Sequence, residues 1–307
     1  MKRYDALVIG GGPAGLTAAL YLCRSGLNIA LVEMMAPGGQ ILRTADIANY
    51  PGFPKGIAGW ELADLFAAHL EEYTLDRYTE TVATIDYAPG ASRLLVGKEW
   101  IEAKTVLICT GASPKVLGLA DEERLVGHGV SYCALCDGNF FRDQVVAVVG
   151  GGNSALEESL YLARIVKKLY LIHRRDEFRA AKILQDKVRS TPNIELVLNH
   201  IPVRLEGEKE LTGIVVEHKQ THDQKRLDVN GMFVFVGYSP QNTFLPSQLE
   251  KDANGFIVTD SEMHTNLPGI FAAGDIRSKL CRQVATAVGD GATAATSAFS
   301  YLEQLGA

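Results

Sequence analysis

The same local pattern occurs twice in this chain: a short apolar run, a glycine-rich turn, then a helix-forming segment. In the first copy Leu7-Val8-Ile9 leads into Gly10-Gly11-Gly12-Pro13-Ala14-Gly15, and residues 16–24 are helix formers. In the second, residues 145–149, all Val or Ala, lead into Gly150-Gly151-Gly152-Asn153-Ser154-Ala155, with helix formers over 155–165. Glycines at such a turn permit a tight reversal and a close approach of backbone to ligand. The N–H groups and positive end of the following helix then face a pyrophosphate. Two such units require two parallel sheets flanked by helices, so the chain is read as α/β with two Rossmann-like three-layer dinucleotide-binding domains.

The strand that follows each helix separates the two sites. Residues 29–32 end at Glu33, eighteen residues past Gly15. An acid there accepts a hydrogen bond from a free ribose 2′-OH, which suits FAD or NAD. Residues 169–172 end at His173, eighteen past Ala155, followed by Arg174, Arg175 and Arg179. Arginines at that strand end accommodate a 2′-phosphate, which suits NADP(H). The competing reading of these arginines is an ordinary solvated face.

Between the two turns lies Cys133-Ala134-Leu135-Cys136-Asp137-Gly138. A Cys-X-X-Cys pair can close a small disulfide ring, accept two electrons and return them, with a thiolate as the attacking species. Asp137 follows the second cysteine directly, and a carboxyl there could carry the proton that disulfide reduction requires. Structural zinc needs four ligands, and Cys23, Cys109 and Cys281 stand apart from one another, so no metal site is expected. These three are read as structural thiols.

At 307 residues there is room for two domains with separate cores. The formal net charge of −6 argues against a nucleic-acid binder. Five cysteines suit a reducing compartment, and the location is read as cytoplasmic. The N-terminus is read as the first strand rather than a signal peptide. No apolar stretch approaches ~18 uninterrupted residues, so no membrane span is expected. An amphipathic helix is expected over 60–73, strand over 81–96, a buried strand over 106–109, mixed strands over 195–234, a strand over 270–273, and a final small-residue helix to about 302. Gly/Pro-rich breakers at 110–114 and 237–242 mark two domain crossings.

Together these residues resemble the low-molecular-weight thioredoxin reductases of bacteria and archaea, over essentially the whole chain. The match runs through both glycine turns, Gly38-Gly39-Gln40, the Cys133–Asp137 motif, the His173-Arg174-Arg175…Arg179 run, and Gly274-Asp275 with Arg282-Gln283. Ala134-Leu135 departs from the family's commoner Ala-Thr. The resemblance implies an FAD domain, 1–113 and 244–307, interrupted by an NADPH domain, 114–243. It implies a homodimeric thioredoxin-disulfide reductase passing electrons from NADPH through FAD and the cysteine pair to thioredoxin. The alternative is another thioredoxin-like or peroxiredoxin-linked disulfide partner. By the same resemblance the FAD site comprises Gly10, Gly12, Pro13, Ala14, Gly15, Glu33, Gly39, Gln40, Asn49, Gly111, Gly274, Asp275, Arg282 and Gln283. The NADPH site comprises Gly150, Gly152, Asn153, Ser154, Ala155, His173, Arg174, Arg175 and Arg179. Cys133, Cys136 and Asp137 carry the chemistry, and Asp137 matches the family's proton donor. The inserted domain is expected to rotate about its crossings, because the disulfide must meet both the flavin and a folded partner.

Overall fold

The computed structural model describes residues 1–44, 47 and 49–306. The chain forms two compact units, residues 1–113 with 239–307, and residues 114–238. In the first, β1 (Arg3–Ile9) leads through α1 (Pro13–Arg24) to β2 (Ile29–Val32), which lies parallel to β1. After α2 (Gly59–Ala68), β3 (Asp76–Tyr78) extends the sheet beyond β2. β4 (Val82–Asp86) and β5 (Ser92–Val96) form an antiparallel pair. β6 (Glu99–Ile108) continues from β5 antiparallel and then pairs in parallel with β1, from Arg3 opposite Glu102 to Ile9 opposite Ile108. β7 (Ala112–Pro114) makes the first crossing.

The second unit opens with β8 (Val130–Ser131) and the single turn α3 (Ala134–Asp137). Then follow β9 (Val145–Gly150), α4 (Asn153–Leu162), β10 (Lys168–His173), α5 (Lys182–Ser190) and β11 (Ile194–Leu198). β12 (His200–Glu206), β13 (Gly213–His218) and β14 (Gln224–Asp228) form a separate antiparallel sheet. β15 (Gly231–Phe235) completes a parallel sheet of order β11-β10-β9-β15-β8. β16 (Tyr238–Pro240) makes the return crossing and pairs with β7. β17 (Ile270–Ala272) joins the far end of β6, and α6 (Val284–Gln304) closes the first unit.

The continuous apolar runs of β1 and β9 arise because both sheet faces are covered. Successive side chains point to opposite faces, so Leu7 and Ile9 join one core while Ala6 and Val8 join the other, beneath α1 and α6. Ala147 and Val149 divide from Val146 and Val148 in the same way. Phe271 and Phe233 are fully enclosed in the two units. Truncating either to Ala would cost about 3–5 kcal/mol.

Several expected elements differ in extent. The helix expected over 60–73 stops at Ala68, where the chain turns to bury Leu70 and feed β3. The strand-like stretch 81–96 is a hairpin that turns near Gly90, whose φ is +70°. The helix expected over 155–165 spans Asn153–Leu162. Neither β3, a polar Asp-Arg-Tyr edge, nor α5, with Val188 alone fully buried, was anticipated. The compact units part at Tyr238/Ser239, inside the crossing strand β16, whereas the sequence reading places the boundary at 243/244.

Candidate active site

At the first glycine turn each glycine answers a separate demand. Gly10 has φ +105°, and a Cβ there would lie 2.5 Å from the Cys109 carbonyl oxygen. A Cβ at Gly15 would lie 1.8 Å from Gly10 O. Gly12, the N-cap of α1, faces open space, so its peptide is free to approach a ligand. Pro13 takes the first helical position, where its missing N–H costs nothing. Glu33 lies under the turn: Oε2 accepts from Gly11 N at 2.6 Å and Oε1 from Met35 N at 2.9 Å. Gly38 N donates to Gly11 O at 2.7 Å, and the Cβ position of Gly39 is 3.2 Å from Gly12 Cα. The Gly38-Gly39-Gln40 motif is thereby packed onto the turn. Gln40 reaches Ser113 Oγ, and Gly111 adopts φ +68° nearby in sequence.

The C-terminal segment meets the same turn. A Cβ at Gly291 of α6 would sit 2.2 Å from Ala14 O, and one at Gly274 would sit 2.9 Å from Ala14 Cβ. Gly291 therefore lets α6 cross closely over Ala14 of α1, and Gly274 lets the preceding turn approach the same residue. Asp290, also on α6, accepts from Gly274 N at 3.0 Å and pairs with Arg277 and Lys279, each at 2.9 Å. Asp275 follows Gly274. Its Oδ1 is buried and accepts no hydrogen bond among the described residues, and Lys279 Nζ stands 3.7 Å away. Burial raises the Asp275 carboxyl above its ordinary value, against the pull of Lys279 and Arg282. The Arg282 guanidinium lies 4.1 Å over the Phe256 ring and donates to Arg277 O. Gln283 caps α6 in a reciprocal capping box with Thr286, and its Oε1 accepts from Asn49 Nδ2 at 3.0 Å.

At the second turn, Gly152 caps α4 and faces open space. Gly150 packs against Ala155, where a Cβ would meet Ala155 Cβ at 2.6 Å. Asn153 Oδ1 accepts from Ala181 N at 2.8 Å, while Ser154 is exposed. His173 is buried, 5% exposed, and stacked on Phe178. Its ring lies under Gly151 and does not project from the strand end, so it shapes the turn. Burial lowers its pKa, and the charges of Arg179 and Arg174 lower it further. Arg174, Arg175 and Arg179 are exposed, and none forms a salt bridge among the described residues.

Cys133 and Cys136 form a disulfide with a Cα separation of 5.3 Å. Cys133 is the N-cap of α3, and its Sγ accepts from Cys136 N at 3.2 Å. Asp137 ends α3, with Oδ2 2.5 Å from Ser131 Oγ. Ser131 and the buried Glu122 were not singled out from sequence. Glu122 accepts from the N–H groups of Leu117, Gly118 and Leu119 and from Tyr132 OH. A lone Ser two residues before a Cys-X-X-Cys gives no periodic signal. Asp290 was likewise hidden, a single acid within a small-residue helix. Cys23 and Cys109 are buried and Cys281 is exposed.

Such a fold, with paired glycine turns and a Cys-X-X-Cys disulfide, defines a nucleotide-dependent disulfide oxidoreductase. Residues 4–291 match the family model described as pyridine nucleotide-disulphide oxidoreductase. The chain is 40% identical over 305 residues to a thioredoxin reductase of Listeria innocua, covering 99% of this chain and 95% of that one. It superposes with a TM-score of 0.94 on the thioredoxin reductase of Streptococcus pyogenes, at 43% identity over 98% of this chain and 99% of that one. On the enzyme from Giardia duodenalis the score is 0.93, at 32% identity over 99% and 100%. The chain belongs to the pyridine nucleotide-disulphide oxidoreductases and, within them, to the low-molecular-weight thioredoxin reductases. Among the described residues no helix is long and apolar enough to cross a membrane.

Proposed function

We propose that the protein reduces thioredoxin with electrons from NADPH, using FAD held at the first glycine turn and the Cys133–Cys136 pair as the relay. The observation that carries this is the disulfide itself, seated with Asp137 in the same unit as the second turn and its exposed arginines. The residues present fit both groups. Gly12 and Gly152 leave the helix N-termini open to a pyrophosphate, and Glu33 sits where a ribose hydroxyl is read. Asp275 Oδ1, buried and without a hydrogen-bond donor among the described residues, is suited to a flavin side-chain hydroxyl. Arg174, Arg175 and Arg179, exposed at the strand end, supply donors suited to a 2′-phosphate.

When bound, FAD supplies the passage from hydride to electron pair. The rest is the work of the chain's own groups. Two electrons break the Cys133–Cys136 bond and two protons make it a dithiol, one of them delivered by the Asp137 carboxyl. One sulfur, as thiolate, then attacks the thioredoxin disulfide and expels a partner thiolate. The second sulfur attacks the resulting mixed disulfide, so the Cys133–Cys136 bond re-forms and thioredoxin leaves as a dithiol. The balance is NADPH, a proton and oxidised thioredoxin giving NADP⁺ and reduced thioredoxin. Because the sulfurs have to meet both the flavin and a folded partner, this reading includes a rotation of the second unit about the β7 and β16 crossings. A homodimer acting in the cytoplasm completes this reading. The test is purification of a yellow protein that releases FAD on denaturation and reduces thioredoxin with NADPH. Reduction of another thioredoxin-like partner, with thioredoxin left oxidised, would select the alternative.

A further inference from the structure

We propose that Ser131 is a positioning residue for the redox pair, acting through Asp137. The inference rests on the reading of Cys133–Cys136 as the redox disulfide and of Asp137 as its proton source.

Ser131 ends β8, the edge strand held by β15 through Met232 opposite Val130 and Phe233 opposite Ser131. It is 4% exposed, so its hydroxyl must find partners within the protein. Its Oγ accepts from Cys133 N at 3.1 Å and lies 2.5 Å from Asp137 Oδ2 and 3.3 Å from Cys133 O. The hydroxyl has one proton and two acceptors for it. With Asp137 ionised, the proton points to Oδ2. With Asp137 protonated, the carboxyl donates to Oγ and the hydroxyl turns to Cys133 O. A hydroxyl, being both donor and acceptor, serves both states. An Ala serves neither, and a fixed donor such as Lys would serve only the ionised one.

This matters because α3 is one turn long and tightens directly into a 3-10 turn over Gly138–Phe141, so the Asp137 carboxyl lies at the junction of two short helical turns and not within a long helix. A proton donor loses much of its effect when displaced by about 1 Å. Ser131 is anchored to the parallel sheet and ties both the carboxyl and the Cys133 backbone to that anchor. It therefore holds the carboxyl and the Cys133 backbone in one frame through both halves of the proton cycle. The rival role is a local turn brace, with Ser131 supporting only the Cys133 N–H.

A double-mutant cycle separates the two. Ser131→Ala, Asp137→Asn and the double variant are compared for disulfide reduction, read in two ways. One is thioredoxin reduction by the holoenzyme with NADPH. The other is reduction of Cys133–Cys136 by dithiothreitol, followed by alkylation and mass measurement. In that reaction a dithiothreitol thiolate attacks one sulfur and the other leaves, taking a proton from Asp137. The second dithiothreitol thiol then releases the first sulfur. A positioned acid contributes about 10²–10⁴. Ser131→Ala should forfeit part of this, about tenfold in both assays. The double variant should be no slower than Asp137→Asn alone, and Ser131→Thr, which keeps the hydroxyl, should restore most of the rate. Should Ser131→Ala fail to fold, Ser131→Cys takes its place in the same cycle. Independent, multiplicative losses, or a wild-type rate in Ser131→Ala, would overturn the proposal. If the wild type reduced its disulfide with dithiothreitol but never passed electrons to thioredoxin, the proposed function would fail while this inference stayed measurable.

Discussion

The imidazole of His173 occupies the space a side chain at Gly151 would need: a Cβ there would approach the ring to 2.2 Å. Glu33 stands in the same relation to Gly11, at 2.8 Å. In both units the strand-end residue thus sets the middle glycine of the turn as well as its own contacts. Gly151→Ala should displace the ring or the turn at a cost of about 1–3 kcal/mol. It should weaken NADPH binding while FAD content is unchanged, which equilibrium titration with NADPH will read. His173 adds a pH dependence. Its folded pKa lies below the ordinary value of about 6.5, so the unfolded chain takes up the proton first. The contribution is present above about pH 6.5 and lost as pH falls below it toward the folded value. Comparing urea midpoints of wild type and His173→Phe from pH 7.5 to 5 should show a shallower acid loss in the variant.

The exposed arginines should decide between the two nicotinamide cofactors. Each charge-assisted hydrogen bond to a phosphate is worth about 1.5–3 kcal/mol before solvent screening. Arg174→Ala with Arg175→Ala should raise KM for NADPH roughly 10- to 100-fold. KM for NADH should barely move. Steady-state kinetics with both cofactors give the answer, and equal losses would make the arginines structural.

Asp275 should govern flavin retention. Its buried Oδ1 has no hydrogen-bond donor among the described residues, and under the proposed reading Asp275→Ala removes an acceptor for a flavin hydroxyl. The loss should be about 1–3 kcal/mol of FAD affinity, measured by FAD release on dilution or dialysis. NADPH affinity should be unaffected.

Much of this arrangement was legible in the sequence because it rests on local patterns. The strand, glycine turn and helix of each unit announce themselves by periodicity and by glycines that tolerate no side chain. Glu33 and the Arg174-Arg175 pair follow from their offset along the next strand. What stayed hidden depends on contacts between distant segments. Asp290 gains meaning only when α6 crosses α1 and meets Gly274, Arg277 and Lys279. The polar β3 became a strand only because β2 offered an edge, which no periodicity in Asp-Arg-Tyr could signal. The packing of the His173 ring beneath Gly151 likewise depends on tertiary context that its offset along the strand does not signal.

Glu122 belongs to that hidden group. It gathers three backbone N–H groups and the OH of Tyr132, the residue before Cys133 in sequence. Glu122→Ala would strand these donors and should cost about 3 kcal/mol, read as a lowered denaturant midpoint. Glu122→Gln, which keeps an acceptor, should cost less.

The central claim is that electrons reach thioredoxin only through Cys133 and Cys136. Under anaerobic conditions, wild type, Cys133→Ser and Cys136→Ser can each be mixed with NADPH and oxidised thioredoxin, and the thioredoxin thiols counted over time. The account predicts continuous production of two thiols per NADPH in wild type. It predicts none above background in either serine variant, although NADPH still discharges the yellow colour of both. Sustained production of thioredoxin thiols by either variant would contradict it.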